Sequence, residues 1–526
     1  MAKDGGPTAY ALPRRALGVA DLRRAREVLE GVVSDRSLLA QLSIEERTRL
    51  LTAAGRAVHP DTEQKRRLVK ALRAARRRRI EARDRALLAR TGIREARESD
   101  VFVPPPRLLA EKTPSREPSR EVLNPRSCYV CKAEYRRVHF FYDAMCPECA
   151  ELNYEKRFQT ADLEGRVALV TGARVKIGYQ AALKLLRAGA TVVATTRFPH
   201  DAARRYATEP DFADWSERLR VHGLDLRHSP SVEIFCNQLR HQLERLDLLV
   251  NNACQTVRRP PGFYEHLLDF EECPIDALPA ELQPVVASHH QSVRLLEGAS
   301  APETGPAPDR FGGLVAWGGG GAGLGLRHSA RLSQLRFAFD EDARREDLFP
   351  SGTLDADLQQ VDLRAVNSWR LSLADVSTPE MIEVQLVNAV APFVLCARLK
   401  PLMLRTPGRE KHVVNVSAME GIFSRGTKTD RHPHTNMAKA ALNMLTLTSA
   451  RDYVRDGVHM NAVDTGWITD EDPFVHATRK RDELGFQPPL DIVDGASRVL
   501  DPFLSGLRTG EHLHGKFFKD YAPSSW

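Results

Sequence analysis

The sequence predicts an α/β protein built on a doubly wound parallel sheet, interrupted by a long insertion and preceded by an α-helical region and a small cysteine-rich module. Three observations carry this reading. Strands and helices alternate from residue 163 onward, around a glycine turn at 172–178. Two Cys-x-x-Cys pairs stand fourteen residues apart at 128–149. Residues 14–92 repeat apolar side chains at helical spacing and are rich in arginine.

At 526 residues the chain is too long for one core, so two or three domains are expected. The net charge of +7 is unevenly spread: residues 1–100 hold 24 Lys and Arg against 14 Asp and Glu, leaving the remainder acidic. A polyanionic partner would therefore be sought at the N-terminal end. The opening residues lack the layout of a signal peptide, and stretches such as 313–326 are too short and Gly-rich to span a bilayer. We accordingly expect a cytoplasmic protein with no membrane segment, whose eight cysteines are ligands or reduced thiols rather than disulfides.

In chain order, residues 1–102 read as a basic helical region. One helix is expected near 19–33. A second opens on Ser43 and Glu46, spaced as a capping box, and a third runs from Pro60-Asp61-Thr62 to about Thr91 with Gly92 as its stop. The arginine run at 73–79 admits two readings, a solvated helix face or a contact of residues 60–97 with nucleic acid or an acidic protein. Residues 103–126 read as a Pro-, Ser- and charge-rich linker.

Over 127–160, Cys128 and Cys131 form one knuckle, and Cys146 and Cys149 a second. Two such knuckles complete a tetrahedral four-thiolate site for Zn2+. Four sulfurs leave no open position, so the ion is expected to be structural. His139 then packs or hydrogen-bonds within the ribbon.

From 161 to 526 the pattern is that of the sheet. Arg166–Thr171 is a strand, 172–178 a turn, 179–188 a helix and Ala190–Thr195 a second strand. This unit presents backbone N–H groups to a pyrophosphate at a helix N-terminus. Thr171-Gly172, Gly178, Asp225-Leu226, Asn251-Asn252-Ala253, and Lys439 followed by Ala-Ala-Leu-Asn resemble the motifs of the short-chain dehydrogenases. The resemblance covers roughly 163–526 and implies a Rossmann-like fold, a small carbonyl or alcohol substrate, a nicotinamide cofactor, and the homo-oligomeric assembly common in that family. It implies Gly172 and Gly178 at the pyrophosphate, Asp225 at the adenine, and Asn251, Asn252 and Ala253 along the cleft. Lys176, in place of the middle glycine, either obstructs the cofactor or, with Arg174, places positive charge next to the phosphates. The resemblance also places Lys439 at the nicotinamide ribose and Gly466 near the amide, where the family's threonine falls on Asp470, with Thr469 adjacent. Arg197, at the end of the second strand, favours NADP over NAD, because arginine accommodates a 2′-phosphate there. The alternative for Arg197 is an ordinary surface arginine.

Four chemistry-sensitive positions depart from the family pattern: Lys176 and Cys254 stand for glycines, Ala418 for the catalytic serine, and Thr435 for the catalytic tyrosine. Of the family's four catalytic side chains, Lys439 and Asn388 remain, with Ser417 one residue early. An aliphatic hydroxyl is far less acidic than a phenol, so Thr435 cannot replace it directly as an acid. His434 and His432 titrate in the useful range, or else merely form the turn into the helix. The expectation is an NADP-dependent oxidoreductase with altered acid and base residues. The alternatives are an inactive dinucleotide-binding regulator or scaffold, and a binding module made by the basic helices and ribbon. Residues 256–379 exceed the usual spacing and form an insertion, read as a substrate lid or assembly surface, with a flexible Gly-rich loop within 298–328.

Overall fold

A computed structural model describes residues 18–98, 121–299, 323–335 and 346–526. The chain divides into two compact units, with the boundary between Ala82 and Arg83.

The first unit contains helices α1 (Val19–Ser34) and α2 (Ile44–Val58) and the start of α3 (Thr62–Ala89). The expected capping box opens α2: the Glu46 amide donates to Ser43 Oγ and the Ser43 amide to the Glu46 carboxylate. The Gln64 amide donates to Asp61 at 2.7 Å, which fixes the start of α3. No residue of α1 or α2 is buried, and the arginines of 73–79 are all exposed.

The second unit begins inside α3, twenty residues before the boundary expected at 102. The Asp84 carboxylate accepts from the Leu123 and Asn124 amides, and Leu88 packs with Val122 and Val138. Gly92 does not end the helix through a left-handed turn. Its amide donates to the Phe140 carbonyl, and a Cβ there would lie 2.6 Å from the Phe141 ring, so close approach demands the glycine. Part of the expected linker is strand: β1 (Glu121–Ser127) pairs antiparallel with β2 (Glu134–Arg137), while the rest of the linker before 121 lies outside the described residues. Helix α4 (Pro147–Arg157) completes the ribbon.

The main sheet holds β3 (Val167–Thr171), β4 (Thr191–Thr196), β5 (Leu219–Gly223), β6 (Leu248–Asn251), β7 (Lys411–Ser417), β8 (Val458–Asp464), β9 (Phe517–Lys519) and β10 (Ala522–Ser524). The order is β5-β4-β3-β6-β7-β8-β9-β10, parallel throughout except for β10. The order reverses between β3 and β6, which opens a crevice at their C-terminal ends. Alternate residues serve opposite faces: Ala168 and Val170 join a core with α5 (Lys176–Arg187), while Leu169 joins one with α7 (Ser229–Gln242). Helix α6 (Pro199–Ala207) follows β4.

The insertion is not a separate body. Helix α8 (Gln283–Ala299) contacts β5, and Val285 and Val286 are buried in the main core. Phe263, Tyr264, Leu267, Ala330 and Phe349 cluster on Phe198, at the end of β4. Most of the Gly-rich loop, 300–322, lies outside the described residues.

Helix α9 (Thr378–Met403) is long and apolar enough to cross a bilayer by length and composition; its core face packs on α7. Helices α10 (Pro433–Arg455), α11 (Phe474–Leu484) and α12 (Ile492–Thr509) complete the fold, α12 packing on α5.

Candidate functional site

A cleft of about 490 Å³ lies at the switch point between β3 and β6. Its floor is the turn from β3 to α5. Gly178 faces the Gly172 carbonyl and Asn252 so closely that a Cβ would lie 2.3 Å and 2.4 Å from them. Asn252 holds this geometry by donating to the Thr171 and Gly172 carbonyls at 3.0 and 3.2 Å. The first N–H groups of α5 have no partners within the helix, which suits the turn to an anion.

Lys176, at the family's middle glycine, takes a left-handed φ of +56°. That conformation costs a residue bearing a Cβ roughly 1–2 kcal/mol. Its ammonium lies 3.9 Å from Asp357 and 4.0 Å from Glu471. Burial opposes its charge, but these carboxylates outweigh burial and raise its pKa. Arg174 is committed to the protein: Nη1 donates to Asp201 at 2.6 Å and the guanidinium lies over Phe198.

At the end of β4, Arg197 donates from Nη2 to the Tyr264 hydroxyl at 2.6 Å and lies over the Tyr264 ring at 4.5 Å. It has no carboxylate partner among the described residues. Asp225, at the end of β5, is buried and saturated by its neighbour: Arg227 donates to both carboxylate oxygens and its Nη1 reaches Glu383 at 2.6 Å. Asp225, expected at the adenine, is thus held in a protein network, which the sequence did not disclose.

The cleft therefore brings together Gly172, Arg174, Lys176, Gly178 and Arg197 with Asp225, Asn252, Ala253 and Thr469. Asn251 lies beneath it, donating to Asn415 at 2.8 Å and bracing β6 against β7. Gly466 adopts φ +77° behind the cleft, close to the Tyr129 hydroxyl and Leu490. Sequence reasoning missed Arg227, Glu383, Tyr264, Arg259 and Glu471, which carry no motif; Glu383 was legible only as a turn of the helix bearing Asn388.

The five expected catalytic side chains are all buried, and none lines the cleft. Asn388 sits in a π-turn, Leu386–Val390, and accepts from the Gln255 amide at 2.8 Å. Such turns are frequent at functional sites. Lys439 Nζ donates to the Val416 carbonyl at 2.7 Å. Ser417 turns away from the cleft and donates to Asn443 at 2.5 Å. The Thr435 hydroxyl has no hydrogen-bond partner among the described residues, and the His434 ring stands 3.5 Å from Glu380. His432 stacks on Trp369 of the insertion, with ring centroids 3.9 Å apart, and its amide donates to the Leu371 carbonyl. The insertion thus covers the start of α10.

In the ribbon, one ligand atom from each of Cys128, Cys131, Cys146 and Cys149 lies within 4.8 Å of the others, and Cys131 and Cys146 Sγ are 3.7 Å apart. A tetrahedron with Zn–S bonds of about 2.3 Å has S···S edges of roughly 3.8 Å, so the donor set fits the ion. Although burial pushes the Cys128 thiol up, backbone N–H groups outweigh burial and bring it to about 7. His139 serves the hairpin: its Nδ1 accepts from the Phe141 and Tyr142 amides.

Comparison with known proteins gives two family matches, short chain dehydrogenase over residues 166–272 and Enoyl-(Acyl carrier protein) reductase over 364–484. An uncharacterized protein of Acanthamoeba polyphaga mimivirus is 31% identical over 388 residues, 72% of this chain and 71% of its own. The (+)-neomenthol dehydrogenase of Capsicum annuum is 35% identical over 91 residues, 17% of this chain and 28% of that enzyme. A short chain dehydrogenase from Burkholderia cenocepacia, crystallised with NADP, is 17% identical with a TM-score of 0.39, covering 68% of this chain and 97% of its own.

Proposed function

This chain belongs to the short-chain dehydrogenase/reductase superfamily of oxidoreductases, and from that membership we propose that it is an NADP(H)-dependent oxidoreductase acting on a carbonyl or alcohol. The observation that carries the proposal is Arg197. It lines the cleft at the end of β4, where an acid would take the ribose 2′-hydroxyl and a guanidinium takes the 2′-phosphate. The turn at Gly172–Gly178 would hold the pyrophosphate on its N–H groups, with Lys176 adding charge. Bound, the nicotinamide supplies the hydride. Replacing Arg197 with alanine is expected to weaken NADPH binding about 100-fold, as loss of a charged hydrogen bond warrants, and to change NADH binding little. Isothermal titration measures both; wild-type protein that binds neither nucleotide sinks the proposal.

Lys439 is the retained side chain best suited to the nicotinamide ribose, and its hold on the Val416 carbonyl keeps it at the end of β7. In this reading Lys439→Ala abolishes NADPH oxidation with a panel of aldehydes and ketones while the fold persists. A second reading, dinucleotide binding without turnover, is favoured by one observation: Thr435 replaces the phenol with a buried aliphatic hydroxyl, and Ser417 points to Asn443. Tight NADPH binding with no single-turnover oxidation by any carbonyl, in wild type and variant alike, would select this second reading.

A further inference from the structure

Tyr264 belongs to the insertion, yet it meets Arg197 inside the cleft. Four features define the place. The phenol oxygen accepts from Arg197 Nη2 at 2.6 Å, leaving its own hydrogen to give. Phe198 packs at a tilt beside the Tyr264 ring with centroids 4.9 Å apart, and Arg197 lies over the same ring, so both side chains are fixed in orientation. The Arg197 carbonyl accepts from Ser329 Oγ at 2.8 Å, so a second segment of the insertion holds its backbone. Arg259, also from the insertion, lines the same part of the cleft and is ion-paired with Asp362.

The local charge decides what this place would take. Asp201 is shared by Arg174, Arg204 and Arg205, and Asp362 by Arg259 and Arg364, so the arginines here outnumber their acids, and Arg197 has no carboxylate within ion-pair distance among the described residues. The Arg197 guanidinium, with no directly paired carboxylate among the described residues, and the Tyr264 phenolic donor both line the cleft at the end of β4 and match a phosphate monoester. The phenol registers the same field: burial pushes its pKa up, but Arg197, Arg259 and Arg174 outweigh burial and lower it.

We infer that the insertion completes the 2′-phosphate subsite, with the Tyr264 hydroxyl donating to the phosphate and orienting Arg197 upon it. Tyr264 is then a determinant of NADP over NAD selectivity that the family's motifs do not contain. The inference rests on the proposed use of NADP(H), and the experiment separates the two. Kd values for NADPH, NADH, 2′,5′-ADP and 5′-ADP are measured for wild type and for Tyr264→Phe, which keeps the ring and its packing. Unchanged thermal unfolding of the variant confirms its fold. The expected result is about tenfold weaker binding of NADPH and of 2′,5′-ADP, with NADH and 5′-ADP within twofold of wild type. Equal weakening of all four ligands makes Tyr264 a packing residue and overturns the inference, as does unchanged NADPH affinity in the variant when the wild type prefers NADPH. Loss for NADPH without loss for 2′,5′-ADP also overturns it, because the phosphate is then not the group being read. If wild type binds no nucleotide, the underlying reading falls and the inference with it.

Discussion

Replacing Arg157 with methionine is expected to destabilise the unit of residues 83–526 by about 3–5 kcal/mol, read as a lower urea midpoint with an unchanged slope. Arg157 ends α4 of the ribbon, and its Nη1 donates to both Asp491 and Asp494, at 2.7 and 2.8 Å, at the start of α12. All three side chains are buried. The guanidinium also lies over the Phe141 ring at 4.6 Å, and the Arg157 carbonyl accepts from Lys184 of α5. Tyr142 adds a donor to Asp494 at 2.5 Å. Removing the cation leaves two carboxylates facing each other in low dielectric, and that penalty exceeds what the pair itself contributes. Asp491 also caps α12 by accepting from the Val493 and Asp494 amides, so repulsion between the two acids loosens the helix that packs on α5. The triple variant Arg157→Met, Asp491→Asn, Asp494→Asn should recover much of the loss, because it removes the unpaired charges while keeping cap acceptors. An Arg157→Met protein within 1 kcal/mol of wild type would show that water reaches the site and that the network does little to join ribbon and sheet.

That network shows what the sequence could and could not disclose. The βαβ unit, the glycine turn and the double asparagine were legible because each is local: a few consecutive residues set a strand, a tight turn and a helix start. The cysteine ligands were legible because two knuckles of fixed spacing have few other uses. Arg157 meeting Asp491 and Asp494 was not, since more than 330 residues separate them. The same holds for the cleft wall made by Tyr264, Arg259 and Arg364, whose place follows from tertiary packing of the insertion rather than from any period. Ser417 illustrates a subtler limit. Along β7 it shares a face with Asn415, which donates to Thr446 of α10. Strand parity therefore turns its hydroxyl toward Asn443 of α10, and Ala418, the position that matches the family's serine, carries no hydroxyl. Lys176 is the converse case: the chain keeps the left-handed backbone that glycine would favour and places a cation there.

Removing metal from the ribbon is expected to weaken nucleotide binding from a distance. We propose that the four sulfurs hold one Zn2+ per chain, and a Cys146→Ser protein should be isolated without it. Tyr129 stands between the two ligands of the first knuckle's Cys-x-x-Cys turn and accepts from the Trp467 amide at 2.9 Å, while its hydroxyl lies close to Gly466. The turn at Cys128–Cys131 therefore positions the segment after β8 that leads to Thr469 and Glu471 in the cleft wall. The apolar ribbon core, including Ile93, Tyr142 and Met145, packs against Ile468, Leu490 and Ile492 and has contacts of its own, so loss of metal should loosen the ribbon without unfolding the sheet. Structural zinc contributes folding free energy of about 10–16 kcal/mol in isolated finger peptides, and a ribbon seated on a sheet keeps part of its order without that contribution. Hydrogen exchange should accordingly accelerate at 127–149 and at 465–472 but not in β3–β7, and NADPH affinity should fall about three- to tenfold. Wild-type protein without zinc would remove the premise. Full zinc occupancy, combined with unchanged exchange at 465–472 in the Cys146→Ser protein, would show instead that the ribbon braces only itself.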